Sequence, residues 1–240
     1  MITWSARGGG EDAERRDVGV RTTNGRVPIL NTLREVANPE HSALVVIDLQ
    51  NDLCSPDGAY ARQGRDLSMI NDVIANSQCL LEAARRAHVP VVHVQMTMLP
   101  ELRSMSASYL RFMMRKNNTS RETHCELGSW GAETVRDVAP RSEEVIIQKW
   151  RSSAFVGTPL DLLLRSNGLL TVVICGIATE ACVESTVRDA FNSDYYVIVA
   201  EDCVGSYRRD LHDASLAVMR ARVDVVKGTE VVGLWSSPDA

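Results

Sequence analysis

The sequence predicts a doubly wound α/β domain. It expects a mostly parallel sheet of about six strands flanked by helices on both faces, a Rossmann-like three-layer sandwich. Three observations carry this. Short runs of β-branched residues, such as Ala43-Leu44-Val45-Val46-Ile47, mark strands buried on both faces. Between such runs lie segments whose apolar residues recur every three or four positions, as on one face of a helix. The two kinds alternate along the chain, which is the pattern of parallel βαβ units.

Residues 1–40 read as an N-terminal extension, partly mobile, with Gly8-Gly9-Gly10 and charges through Arg16. The domain then occupies 41–240. Its first strand covers 43–48, and Ser55-Pro56-Asp57-Gly58 is a turn. A helix over 68–87 follows from the spacing of Met69, Ile70, Val73, Ile74, Leu80 and Leu81. A second strand covers 89–94. The stretch 95–140 is the least regular, with short helices expected near 109–116 and 132–138. The irregular 96–130 segment is long for a simple connection, which suits a substrate lid or a subunit contact. A third strand covers 145–149. Thr158 and Pro159 open a helix as N-cap and first-turn proline, and Asn167-Gly168 closes it. A fourth strand over 170–175, a helix over 179–191, a fifth strand over 195–200, a helix over 210–223 and a short strand over 224–226 complete the order. The apolar piece Val231-Val232-Gly233-Leu234-Trp235 either closes the domain or packs at an interface.

Composition narrows the function. The 240 residues suit one domain. A net charge of −5 without a basic block argues against nucleic acid, and 5% aromatic content against base stacking. No apolar run approaches the ~18–20 residues of a membrane span. The charged, glycine-rich start has no secretory apolar region, so a cytoplasmic location is expected. The six cysteines form no CxxC and no zinc-finger spacing, so neither a disulfide framework nor a structural zinc is expected.

In an open parallel sheet, ligands bind outside the carboxyl ends of the strands. Strand one ends in Asp48, strand three in Lys149, and the loop after strand four leads to Cys182. An acid, an amine and a thiol thus converge. A thiol attacks as thiolate, and a helix start and a nearby ammonium both lower its pKa. A carboxylate in reach can take the thiol proton and return it to a leaving amine. Together these suggest acyl transfer to cysteine followed by hydrolysis.

The residues around these three resemble a known family. Val45-Val46-Ile47-Asp48-Leu49-Gln50-Asn51-Asp52, Lys149-Trp150-Arg151-Ser152-Ser153-Ala154-Phe155 and the long stretch from Gly176 to Ala190 resemble, in order, the three motifs of the isochorismatase-like cysteine hydrolases. The resemblance implies Cys182 as nucleophile, Asp48 as general base and acid, and Lys149 as the group that lowers the thiol pKa and orients the acid. It implies a cis peptide between Ile177 and Ala178, with an oxyanion held by the N–H groups of Ala178 and Cys182. It also implies a homo-oligomer, dimer or tetramer, that acts on a small molecule without a cofactor. Nicotinamidases of this superfamily bind a metal through Asp-x-His after the second strand; His93-Val94-Gln95-Met96-Thr97-Met98 lacks that pair, so no metal is expected.

Within the family the pattern is most similar to ureidoacrylate amidohydrolases. That implies cleavage of a C–N bond in a ureido, carbamoyl or amide compound: ureidoacrylate, biuret, triuret or an N-carbamoyl amino acid. The alternatives are vinyl-ether hydrolysis of the isochorismate type and a non-catalytic binding protein of the same fold. The expected substrate contacts are Gln50, Asn51, Met96, Met98, Arg151, Ser152 and Ile177. Met96, Met98 and Ser152 depart from the ureidoacrylate pattern and imply a more apolar or roomier pocket.

Overall fold

A computed structural model describes residues 29–116 and 123–236. The glycine-rich tail expected at the start lies outside the described residues. The elements form one unit that begins at Leu33. The strands are β1 (Ser42–Ile47), β2 (Val91–Met96), β3 (Val145–Lys149), β4 (Thr171–Ile177), β5 (Tyr196–Gly205) and β6 (Asp224–Val226). They make one parallel sheet in the order β3-β2-β1-β4-β5-β6. The helices are α1 (Leu33–Val36), α2 (Asn51–Cys54), α3 (Ala59–Arg62), α4 (Ser68–Arg86), α5 (Ala107–Lys116), α6 (Leu160–Ser166), α7 (Glu184–Asn192), α8 (Arg209–Arg220) and α9 (Gly228–Trp235). The doubly wound α/β architecture read from the sequence is the one observed.

The strands show why continuous apolar runs were needed. All six residues of β1 are buried. Ala43, Val45 and Ile47 join a core with Leu160 and Leu164 of α6, Val187 and Ala190 of α7, and Leu216 and Met219 of α8. Leu44 and Val46 alternate with them and face the other way, as a period of two requires. There α4 lies against β4 and β5 and packs on α9. Each large side chain so buried is worth roughly 1.5–3 kcal/mol over leaving it in water.

The chain winds outward from β1 to β2 and β3, then returns to the other side of β1 with β4. The strand order therefore reverses between β1 and β4, and a crevice opens at their carboxyl ends. Gly176 makes this junction possible. Its φ is +118°, and a Cβ there would overlap the Ile47 carbonyl oxygen of β1.

Three local features differ from the sequence expectation. First, β5 runs on through Glu201-Asp202 to Gly205, past a register shift beside Ile174 and Gly176. The two acids look like a loop, but Glu201 is paired with Arg220 and Lys227, and Asp202 accepts the Gly228 N–H at 2.6 Å. Second, the helix expected from Thr179 begins as a π-helical turn, Thr179–Val183, before α7. Third, the apolar C-terminal piece is α9, with Val231 and Trp235 buried. The Trp235 indole donates to the Ala37 carbonyl at 2.8 Å, so this piece closes the domain and holds residues just after α1. Among the described residues, no helix is long and apolar enough to cross a membrane.

Candidate active site

The carboxyl ends of β1, β3 and β4 bring Asp48, Lys149 and Cys182 together. Asp48 turns the chain out of β1 in a left-handed conformation, φ +54°, which aspartate tolerates better than most residues. Its N–H donates to Val94 O at 2.9 Å, and its Oδ1 accepts the Met96 N–H at 2.9 Å. Strand β2 thus fixes Asp48 by its backbone and by its carboxylate. Lys149 ends the neighbouring edge strand β3 in register with Met96 and reaches across β2. Its Nζ donates to Asp48 Oδ2 at 2.7 Å, to Arg151 O at 3.2 Å and to Cys182 Sγ at 3.2 Å. All three ammonium protons are committed. Lys149 is 1% exposed, so this charge exists inside the protein only because of its partners.

Cys182 lies in the π-turn after β4, and that turn is braced from two sides. Its carbonyl accepts the Thr186 hydroxyl at 2.7 Å, and Thr186 in turn accepts the Ala154 N–H at 3.0 Å. From α8, His212 bonds Thr179 Oγ1 at 2.8 Å, and Ser215 donates to Thr179 O and to Glu184. The Ile177–Ala178 peptide at the turn's entrance is cis. The Ala178 carbonyl accepts the N–H groups of Ala181 and Val183, which folds the turn tightly under the thiol.

The electrostatics correct one expectation. A helix start and a lysine were expected to lower the thiol pKa. Instead burial, and after it the Asp48 charge, push the Cys182 thiol up to about 12, against the opposing pull of Lys149. The Lys149 ammonium bridges the two, donating to both Asp48 Oδ2 and Cys182 Sγ. The resting site therefore pairs a neutral thiol with a carboxylate and an ammonium.

Beside the thiol lies a small cavity of about 80 Å³. Of the expected substrate contacts, Met96, Ser152 and Ile177 line it, together with Ala178. Gln50, Asn51, Met98 and Arg151 do not. Gln50 is fully buried and donates its amide to Met96 O and Ala132 O, both at 2.8 Å. Asn51 donates to Trp130 O at 2.8 Å. Met98 is fully buried. Arg151 turns its guanidinium to Ser104 O and Trp150 O. Asp52 joins the two amides as a strut, accepting the N–H groups of Ala59 and Cys125. The polar residues after Asp48 thus tie the irregular 95–140 stretch to the sheet. That stretch is a wall of the cavity, because α5 contributes Tyr109, Phe112 and Met113 to it. The sequence reading missed Tyr60, Arg65, Tyr109 and Tyr207, all of which also line the cavity. They sit in short or irregular segments where no periodicity marks an inward face. Among the described residues, no three His, Cys, Asp or Glu side chains are grouped to hold a metal ion.

Comparison with known proteins agrees with this arrangement. A cysteine hydrolase from Pseudomonas syringae pv. phaseolicola is 26% identical with a TM-score of 0.70, over 82% of this chain and 93% of that one. An isochorismatase family protein from Desulfovibrio vulgaris is 28% identical with a TM-score of 0.70, over 82% and 99%. The N-carbamoylsarcosine amidase of Thermoplasma acidophilum is 27% identical with a TM-score of 0.61, over 78% and 96%. Residues 42–231 match the isochorismatase domain, and that stretch contains all of β1 to β6 and the three converging side chains, so the chain belongs to the isochorismatase family.

Proposed function

We propose that this protein is a cysteine-dependent amidohydrolase that cleaves the C–N bond of a small amide of the ureido or carbamoyl kind. The observation that carries this reading is the Lys149 ammonium, 2.7 Å from Asp48 Oδ2 and 3.2 Å from Cys182 Sγ, beside the cavity. Similarity to an N-carbamoylsarcosine amidase supports the choice of bond.

The chemistry follows from the protonation states. With the thiol pKa near 12, the proton stays on sulfur until substrate arrives. Asp48 takes that proton as Sγ attacks the carbonyl carbon. The oxyanion develops against the N–H groups of Ala178 and Cys182. Asp48 then gives the proton to the substrate nitrogen, the C–N bond breaks, and the amine leaves a thioester on Cys182. Water attacks that thioester, Asp48 accepts the water proton, the acid departs, and the proton returns to sulfur. Lys149 keeps the carboxylate in place and balances the thiolate in each half-reaction.

The test is ammonia release from ureidoacrylate, biuret, triuret, N-carbamoyl amino acids and simple amides. Cys182→Ala is expected to abolish release while its circular dichroism and melting temperature stay near wild type. Activity that survives in the folded variant would overturn the mechanism.

A further inference from the structure

The helix α5 forms one wall of the cavity, yet little packing of its own holds it there. It has 10 residues, and none of positions 107–115 is buried. A helix of that length is marginal in water unless an apolar face packs on the domain. Its cap is local, with Ser106 Oγ accepting the Tyr109 N–H at 3.2 Å. Even so, Tyr109, Phe112 and Met113 line the cavity that also reaches Cys182.

The loop after β3 supplies what the helix lacks. Arg151 Nη1 donates to Trp150 O at 2.6 Å and to Ser104 O at 3.1 Å. One nitrogen thus joins the chain beside Lys149 to the chain just before α5. The same guanidinium lies 5.6 Å from the centre of the Tyr109 ring, on the first turn of that helix. At that distance a cation is attracted to the face of an aromatic ring. Ser104 is itself buried and tied back, its Oγ accepting the Leu99 N–H at 3.1 Å. The Arg151 carbonyl takes a Lys149 ammonium proton at 3.2 Å. Arg151 therefore meets Lys149 with its backbone and the cavity wall with its side chain, and only the second contact depends on its being an arginine.

We propose that Arg151 is a positioning residue: its guanidinium clasps the start of α5 to the end of β3, and so holds Tyr109, Phe112 and Met113 beside Cys182 as the wall that limits the size of the substrate. This rests on the amidohydrolase reading for the bond cleaved in the cavity, but its test does not need turnover. The probes are iodoacetamide and its bulkier N-phenyl analogue, which carry the same reacting group. The readout is the rate of Cys182 modification by each, followed by peptide mass spectrometry and compared with N-acetylcysteine. In wild type the ratio of bulky to small reagent is expected to lie about tenfold or more below the free-thiol ratio. In Arg151→Met it should rise towards the free-thiol value by about tenfold, the size of one charge-assisted contact. The rate with iodoacetamide itself, and its pH profile, should stay within a fewfold of wild type, because the carbonyl that Lys149 uses is unchanged. Arg151→Lys keeps a cation without the fork, so its ratio should fall between the two.

Amide hydrogen exchange gives a second readout. In Arg151→Met, peptides covering 104–116 should exchange faster, while those of β1 and β4 keep their wild-type protection. If Arg151→Met does not fold, Arg151→Lys decides by the same two measurements. A wild-type ratio equal to that of the free thiol would overturn the clasp, and so would a folded variant that melts earlier but keeps the wild-type ratio and exchange. Either result leaves the amidohydrolase reading standing. Ammonia release that survives Cys182→Ala would overturn that reading and leave the alkylation ratios as they are.

Discussion

Lys149 and Asp48 form an ion pair that water does not reach. Nζ and Oδ2 are 2.7 Å apart, with the two side chains 0% and 2% exposed. Removing one member of such a pair leaves the other as an uncompensated buried charge, at a cost of about 3–5 kcal/mol. Lys149→Met should therefore lower the unfolding free energy measured by urea titration by that order. Adding Asp48→Asn should recover part of the loss, because the stranded charge is gone. A double variant that unfolds as easily as the sum of the two singles would show that the pair does not couple.

Asp48 acts on the thiol in two opposing ways, and they can be separated. As a negative charge it raises the Cys182 pKa; as a base it receives the proton. Asp48→Asn removes the charge and leaves Lys149 as the dominant neighbour. The thiol pKa should then fall below its wild-type value of about 12. Alkylation of Cys182 at pH 8–9 should become faster in this variant, while turnover falls by about 10²–10⁴-fold for want of the base. The check is a pH series of iodoacetamide modification rates beside the activity assay. Slower alkylation in Asp48→Asn would mean that the carboxylate does not set the thiol's state.

What the sequence made legible has a physical basis. Asp48, Lys149 and Cys182 sit at or just beyond strand ends, and the geometry of a parallel sheet sends strand ends to one edge. What it hid depends on partners far away in the chain. Gln50 reads as a substrate contact from its neighbour Asp48, but its amide is taken by Ala132 O, 82 positions on. The thiol pKa reads as lowered from its place at a helix start, but burial decides it, and burial is a property of the whole fold. Tyr60 and Tyr109 carry no local signal because α3 is a single turn and α5 follows an irregular stretch. The length of β5 was hidden because Glu201 finds cations on α8 and beside α9, and Asp202 finds the Gly228 N–H.

Gln50 gives a prediction of its own. Its side chain joins the carbonyl of Met96 on β2 to that of Ala132 in the irregular 95–140 stretch. Gln50→Leu keeps the bulk and leaves two buried acceptors unsatisfied, which costs about 1–3 kcal/mol for each group so stranded. Its melting temperature should fall. The carboxylate and the thiol keep their own hydrogen bonds, so iodoacetamide modification of Cys182 at a temperature where the variant is folded should stay within a fewfold of wild type. A Gln50→Leu protein as stable as wild type would show that the 95–140 stretch is not held by this amide.

A second buried charge network, around Glu144, lies just before β3, away from the thiol. Burial pushes the Glu144 carboxyl up, yet the Arg85 fork at 2.7 and 3.0 Å, the Arg141 N–H at 2.8 Å and His93 at 3.0 Å outweigh it and hold the pKa at about 2. An unfolded glutamate titrates near 4.3. The folded pKa is depressed, so this carboxylate adds stability that is complete above the unfolded value and disappears as the pH falls through about 2. His93, whose pKa burial lowers, stays neutral at pH 7. Glu144→Gln keeps the shape and removes the charge, and it should cost about 1–3 kcal/mol at pH 6–7. The gap between wild type and variant should narrow below pH 4.5 and close near pH 2, as wild-type Glu144 takes up its proton. Urea midpoints across that range measure it directly. A gap that stays constant down to pH 2 would mean that the network stabilises the fold through packing and not through its charge.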